Sequence, residues 1–297
     1  MPFTFKDRGQ PVVDEKLCTG CELCVKNCPD NVLVLENKKA KPGEGLFLGC
    51  IACGQCVAIC PVGAIAVEGR GMRLDDRRPL PKENRATAEA LESLFYARRS
   101  IRRFADREVE REKIDRILQM TASAPMGIPP SDVGVVVFHG RDKVARFSAE
   151  MCQSFKQMAK KLNPFILGLM RLRMKKQEYE MMRDFVVPLL KMLAQKHEEG
   201  EDKFTYGAPA ALLFHHGSTA DAADVHIAET YAMLAAESLG LGSCLLGTAF
   251  ALNFDKELSR KYGIPAENKV ALAMCFGYPT VKYHHAVERR LASVKFM

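Results

Sequence analysis

No stretch of this sequence is apolar for long enough to cross a bilayer: runs such as Phe165-Ile166-Leu167-Gly168-Leu169-Met170 fall far short of the ~18 to 20 residues a membrane span needs. The opening residues, Met1-Pro2-Phe3-Thr4-Phe5-Lys6-Asp7-Arg8, hold no apolar segment of the signal-peptide kind. Glycine, proline and polar tracts are too short for a disordered tail or a collagen repeat, and nothing in the pattern supports a coiled coil. The expectation is a cytoplasmic globular protein with no membrane span. At about 150 residues per domain, its 297 residues suggest roughly two domains.

Positive charge is in modest excess, with a formal net charge of +7. The first 70 residues are balanced at 8 basic against 8 acidic, whereas 141–203 alone carry 14 against 9. Eleven cysteines in a reducing compartment point to metal or redox chemistry rather than disulfides. Three of them, Cys152, Cys244 and Cys275, are scattered through apolar sequence and read as buried, inert thiols. The other eight lie within 18–60.

Those eight form one motif written twice. Cys18-x-x-Cys21-x-x-Cys24-x-x-x-Cys28-Pro29 recurs as Cys50-x-x-Cys53-x-x-Cys56-x-x-x-Cys60-Pro61, every element displaced by 32 residues, which marks an internal duplication. Three thiolates at a spacing of three on a tight loop can reach three corners of an iron–sulfur cube, while the fourth cysteine is expected to open a short helix and point away. In two-cluster bacterial ferredoxins that fourth ligand serves the other cluster. The expected ligand sets are therefore Cys18, Cys21, Cys24 and Cys60 for one 4Fe–4S cluster, and Cys50, Cys53, Cys56 and Cys28 for the second. A pair of four-cysteine zinc sites is the alternative, although these usually draw two ligands from each of two separated knuckles. The segment resembles the two-cluster ferredoxin domain, with Val32-Leu33-Val34-Leu35 and Ala64-Ile65-Ala66-Val67 fitting the short strand after each loop.

Gly69-Arg70-Gly71 and Asp75-Asp76-Arg77-Arg78-Pro79-Leu80-Pro81 are polar and proline-punctuated, and read as a linker. Beyond it the periodicity predicts helices over 87–99 and 109–121, a strand over 133–139, and a long helical region over 142–196 broken near Pro164 and Pro188. A strand over 209–215, a buried helix over 222–239 and a strand over 270–276 complete the pattern. Helices alternating with few strands indicate an α+β fold or a three-layer α/β sandwich.

Arg98-Arg99-Ser100-Ile101-Arg102-Arg103-Phe104 gathers guanidinium groups and a hydroxyl just past a helix, a good phosphate cradle because guanidinium forks bind oxyanions bidentately. Taken alone, the run reads as a solvated basic helix end. Residues 86–297, however, resemble the nitroreductase superfamily, FMN enzymes whose first helix ends in Arg-(Arg/His)-Ser-(Ile/Thr)-(Arg/Lys)-x-Phe. Tyr206-Gly207-Ala208-Pro209-Ala210, the small-residue helix over 228–240, Gly240-Leu241-Gly242-Ser243-Cys244 and Gly277-Tyr278-Pro279 stand in order where that family has similar sequences. With the duplicated motif, the whole chain resembles the ferredoxin-fused branch of the family. The resemblance implies a bacterial-ferredoxin-like domain (1–70), a linker (71–85) and a nitroreductase-like FMN-binding three-layer α/β sandwich (86–297) with a helical insertion at about 142–203.

It also implies roles for particular residues. Arg98, Arg99, Ser100 and Arg102 would bind the FMN phosphate and ribityl chain, and Arg289 would be the late phosphate-contacting arginine, with Arg290 in its place if the register slips by one. Ala124, Pro125, Met126 and Gly127 would line the ribityl and isoalloxazine. The main chain of Cys244, Leu245, Leu246 and Gly247 would approach the flavin N5 and O4. Many relatives continue the 124–127 loop with an Asn-x-Gln-Pro-Trp-like stretch. This chain has Ile128-Pro129-Pro130-Ser131-Asp132-Val133 instead, and no tryptophan anywhere. No side-chain proton donor can be named. Two clusters, each carrying about −2 with its thiolates, and a flavin phosphate would offset most of the formal positive charge, and no nucleic-acid-binding motif is present.

Several features stay outside that account. Gly240-x-Gly242 follows a helix rather than a strand and lacks the third glycine of a dinucleotide fingerprint. His215-His216 and His284-His285 have no acidic or cysteine partners at ligand spacing and read as structural, with His285 near the phosphate. The 151–192 segment holds seven methionines and nine lysines and arginines against three acids. It reads either as a packed hairpin with a solvated basic face or as a lid over the substrate pocket, with a membrane-surface or acidic-ferredoxin dock as further readings. The function implied is transfer of electrons from reduced ferredoxin or a similar low-potential donor through the clusters to FMN. A small organic acceptor (a nitro group, an activated alkene, a quinone or a carbon–halogen bond) would then be reduced, in a homodimer. The alternative is an electron carrier that serves a protein partner.

Overall fold

The structure is a computed structural model that describes residues 7–81, 83, 85–128 and 131–297, so the Pro129-Pro130 pair lies outside the described residues. The chain divides into two compact units. One comprises Met1–Arg85, Met126–Asp132 and Gly217–Asp221; the other comprises Ala86–Pro125, Val133–His216 and Ala222–Met297.

The first unit is built from β1 (Gln10–Val13), α1 (Leu23–Lys26), β2 (Leu33–Glu36), β3 (Lys39–Pro42), α2 (Gln55–Ile59) and β4 (Ile65–Glu68). β1 pairs antiparallel with β4, and β2 with β3. The 32-residue displacement of the sequence carries β2 onto β4 and the start of α1 onto the start of α2. It also carries the left-handed backbone positions Gly20, Glu22 and Asn31 onto Ala52, Gly54 and Gly63. Leu33, Ala40, Ala52, Val57, Ile65 and Val67 form the small core between the two halves.

The second unit contains α3 (Ala88–Ala97), α4 (Arg111–Thr121), β5 (Val133–His139), α5 (Arg141–Lys161), α6 (Pro164–Met170), α7 (Lys176–Met181), α8 (Val187–Glu198), β6 (Ala210–His216), α9 (Ala222–Ser238), β7 (Gly242–Leu246), α10 (Lys256–Lys261) and β8 (Lys269–Gly277). A π-helical turn, Met182–Val186, joins α7 to α8, and a 3-10 stretch, Gly247–Phe254, follows β7. The four strands form one antiparallel sheet in the order β5-β6-β8-β7.

Because successive strand residues point to opposite faces, this sheet makes two cores. Leu213, Ala273, Cys275, Cys244 and Leu246 face one side with Phe147, Met151, Phe155 and Leu190 from α5 and α8. Leu212, Phe214, Met274 and Phe276 face the other with Ile114, Ile117, Ala232 and Ala236 from α4 and α9. The result is the expected three-layer sandwich, and strand β6 reads as an unbroken apolar run because both its faces are covered.

The helical insertion differs from expectation in one respect. The chain breaks before Pro164, where the Asn163 side chain caps α6 by accepting from the amides of Phe165 and Ile166 at 3.0 Å each. It turns again between α6 and α7, but it does not break at Pro188. Pro188 lies in the first turn of α8, directly after the wider π turn, and its missing N–H is accommodated where the regular hydrogen-bond ladder is already displaced. No helix among the described residues is long and apolar enough to cross a membrane.

Candidate functional site

Each cysteine loop of the first unit is shaped by left-handed residues. Glu22 (φ 62°) and Gly54 (φ 73°) are the N-caps of α1 and α2, so the short helices begin just before the third cysteine of each run. Cys24 and Cys56 therefore sit inside the helices, and Cys28 and Cys60 follow them, Cys60 as the C-cap of α2. This corrects the expectation that the fourth cysteine opens the helix.

The fourth cysteine nonetheless crosses over. Cys18, Cys21, Cys24 and Cys60 line one small cavity, and Cys28, Cys50, Cys53 and Cys56 line another. The amide of Val32 donates to the Cys28 sulfur at 3.3 Å, and that of Ala64 to the Cys60 sulfur at 3.1 Å, the same bond in both halves. Burial pushes the Cys56 thiol up to about 12, with Cys50 and Cys53 adding to the effect. Burial likewise raises the Cys24 and Cys50 thiols. Thiols packed this closely ionise when a cation compensates them, so the donor set suits a metal cluster. Among the described residues no group of three or more such side chains has the spacing to hold a single metal ion.

The loop leading into Cys50 is anchored by Asp30, whose carboxylate accepts from the amides of Phe47, Leu48 and Gly49 at 3.0, 3.1 and 2.6 Å. Desolvation raises the acid's pKa, but these amides outweigh it and hold the carboxyl below the usual range.

In the second unit, α3 ends at Ala97, and Arg98 is its C-cap, already extended. The next residues run alongside β7: Ser100 and Ser243 form a parallel bridge, and the Ile101 amide donates to the Ser243 carbonyl at 2.8 Å. Extended backbone sends alternate side chains to opposite sides. Arg98, Ser100 and Arg102 all face the Cys244 thiol, which burial pushes up and Arg102 pulls back down. The Arg102 guanidinium also lies over the Tyr206 ring, 5.7 Å from its centroid. Arg99 points the other way, 6.0 Å from the centroid of Tyr283. On that side Ile101 and Gly242 line a cavity of about 570 Å³ together with Tyr96, Tyr283, His284 and His285.

The remaining predicted residues are placed less tightly. Leu245 and Leu246 end β7 and Gly247 opens the 3-10 stretch. Pro125 is exposed and falls in the second unit, whereas Met126 and Gly127 fall in the first. Arg289 and Arg290 lie exposed on the C-terminal stretch beyond β8, outside the group at Cys244. His215 is occupied structurally, its Nδ1 2.8 Å from the Asn268 side-chain nitrogen.

Sequence reasoning missed how Tyr206 is held. The Asp202 carboxylate accepts from the amides of Phe204, Thr205 and Gly207 at 3.0, 2.8 and 2.9 Å and from the Ser148 and Thr205 hydroxyls at 2.8 and 2.5 Å. That turn sets Tyr206 at φ 58°, beneath Arg102. Asp202 three residues before Thr205 was the available signal, since this spacing forms side-chain-capped turns.

Residues 96–278 match the model of the nitroreductase family. The chain belongs to the nitroreductase family. Residues 10–61 match the 4Fe-4S dicluster domain. Curated relatives of that segment include an uncharacterized ferredoxin of Methanocaldococcus jannaschii, 41% identical over 61 residues, which covers 19% of this chain and 90% of the ferredoxin. Another is the ketoisovalerate oxidoreductase subunit VorC of Methanothermobacter marburgensis, 37% identical over 65 residues, covering 20% of this chain and 82% of that one. A nitroreductase from Bacteroides fragilis solved with bound FMN is 18% identical, with a TM-score of 0.51 over 71% of this chain and 100% of that one. That likeness is one of fold.

Proposed function

We propose that this nitroreductase-family protein is an FMN-dependent oxidoreductase that accepts electrons through two 4Fe–4S clusters and reduces a small organic acceptor: a nitro group, an activated alkene, a quinone or a carbon–halogen bond. The observation that carries the reading is the crossed arrangement of thiols, in which each cavity takes three cysteines from one run and one from the other, on the same chain as a nitroreductase domain. When bound, the clusters supply electrons singly and FMN exchanges them singly or in pairs, which suits a converter between a one-electron donor such as reduced ferredoxin and a two-electron acceptor.

The chain's own residues do the holding. Cys18, Cys21, Cys24 and Cys60 bind one cluster and Cys50, Cys53, Cys56 and Cys28 the other, while the Val32 and Ala64 amides direct hydrogen bonds at the crossing sulfurs. Arg98, Ser100 and Arg102 present cations and a hydroxyl for the FMN phosphate and ribityl chain; Arg99, on the opposite side of the extended segment, and Arg289 on the C-terminal stretch are the further phosphate contacts that the family resemblance implies. The main chain of 245–247 approaches the flavin N5 and O4, and the family resemblance gives 125–127 the lining of the ribityl chain and isoalloxazine. The flavin sites are completed in a homodimer, as the family resemblance implies.

The test is anaerobic stopped-flow mixing of the reduced protein with nitroaromatics, enones, quinones and haloaromatics, following flavin absorbance. Rapid, saturable reoxidation by one class is expected. Reduction of the flavin without reoxidation by any class would move the protein to the electron carriers.

A further inference from the structure

The helical insertion leaves an apolar ridge uncovered. On α6 and the turn after it, Phe165, Leu169 and Leu172 are 80%, 55% and 80% exposed. They stand at i, i+4 and i+7, one face of a helical path that continues past α6 through the Arg173 and Met174 amides, both donating to the Met170 carbonyl. Leu167 on the opposite face is buried. A second stripe runs along the following helices, where Met181 and Phe185 are 62% and 63% exposed. Cations neighbour the first stripe in sequence, namely Lys160, Lys161, Arg171, Arg173, Lys175 and Lys176, whereas the second also neighbours Glu180 and Asp184, the latter paired with Arg183. A groove of about 410 Å³, with Lys156, Lys160 and Lys191 on its walls, has Asn163 and Pro164 on its lining, directly before Phe165.

We propose that this face docks on an anionic lipid bilayer, with Phe165, Leu169 and Leu172 entering the boundary between headgroups and acyl chains and the surrounding cations binding lipid phosphates. Exposed apolar side chains ringed by lysine and arginine, on helices too short to span, are what an interfacial anchor requires. The charge argues against a second copy as the occupant. With nine basic residues against three acids over 151–192, a second copy docked on the same face would set two strongly positive surfaces against each other. An anionic bilayer satisfies the cations and the apolar ridge together.

The test uses the anaerobically purified holoprotein and vesicles of phosphatidylcholine alone or mixed with phosphatidylglycerol. Co-sedimentation with the mixed vesicles is expected to exceed that with neutral ones by roughly tenfold or more at low salt, and to weaken as salt rises. The Phe165→Ser/Leu169→Ser/Leu172→Ser variant should lose binding by a similar factor while keeping its visible spectrum. The surface pair Lys161→Glu/Arg173→Glu, which leaves the ridge intact, should abolish the preference for anionic vesicles. Equal binding to both vesicle types, no binding at low salt, or full binding by either variant would overturn the proposal. So would a smaller oligomer in sedimentation velocity for the triple variant, which would make the ridge a contact between copies.

Discussion

Ser100 is bound to Ser243 through a parallel bridge, with the Ile101 amide on the Ser243 carbonyl at 2.8 Å. The arginine run and the strand leading to Gly247 are thus one structural piece, and disturbing the bridge should disturb everything the run holds.

A β-carbon at Gly242 would collide with the Ile101 side chain, so Gly242→Ala should push the two segments apart. Overpacking of this kind costs about 1–3 kcal/mol. If about half is expressed at the cradle, FMN affinity should fall by about 2- to 12-fold, measured by fluorescence titration of flavin-free protein. Gly247→Ala, where only Leu272 lies near at 4.0 Å, should be milder.

The two halves of the cysteine domain are not equally tolerant. Gly20 has φ 71°, and a β-carbon there would run into the Lys38 carbonyl, whereas its counterpart Ala52 already carries one at φ 55°. Gly20→Ala should cost one cluster, leaving roughly half the iron, because the added β-carbon meets the Lys38 backbone carbonyl, which cannot move aside as a flexible side chain could. Ala52→Gly should keep full iron content. Iron and acid-labile sulfide analysis checks both.

Asp202 predicts an acid limit. Desolvation raises its pKa, but the Thr205 hydroxyl, the Gly207 amide and the Ser148 hydroxyl outweigh that and hold the carboxyl below its usual range. A carboxylate depressed in the folded state contributes stability that is complete above its unfolded pKa of ~3.9 and is lost as pH falls through the lower folded value. Asp202→Asn should cost about 2–4 kcal/mol at neutral pH, because five donors then face an amide, and the difference from wild type should shrink in acid. Denaturant unfolding across pH 3 to 7 (about the carboxylate range) measures it.

Glu229 predicts the opposite slope. This α9 carboxyl is 2% exposed, its Oε1 has no hydrogen-bond partner, and burial pushes it up to about 8. Its folded pKa is the higher one, so the unfolded chain ionises first, and stability declines from about pH 4.3 until the folded group also titrates. Glu229→Gln should therefore stabilise the protein at neutral pH by about 2–4 kcal/mol and change little in acid. A thermal melt series over pH would show the gap opening with rising pH.

What could be read in advance followed from which residues carry their information locally. The duplicated cysteine spacing appears in three dimensions as duplicated turns, because each left-handed position is set within its own loop. Strand β6 was legible as an apolar run. Strand β7 was not: Gly242-Ser243-Cys244-Leu245-Leu246 is short and begins with glycine and serine, and it exists through pairing with β8, about thirty residues on. The sorting of Arg99 away from Arg98, Ser100 and Arg102 also depends on a distant partner, since β7 extends the backbone there. Pro188 misled for a related reason, as the π turn that admits it leaves no mark on residue periodicity.

The most direct measurement of the central claim is acceptor reduction driven by reduced ferredoxin in wild type, Cys18→Ala and Cys50→Ala, each also driven by direct photoreduction of the flavin. The ferredoxin-driven rate is expected to collapse in both variants while the photoreduced reaction persists. Unchanged ferredoxin-driven turnover in variants shown to lack a cluster would contradict it, because electrons would then be reaching the acceptor without the cysteine domain.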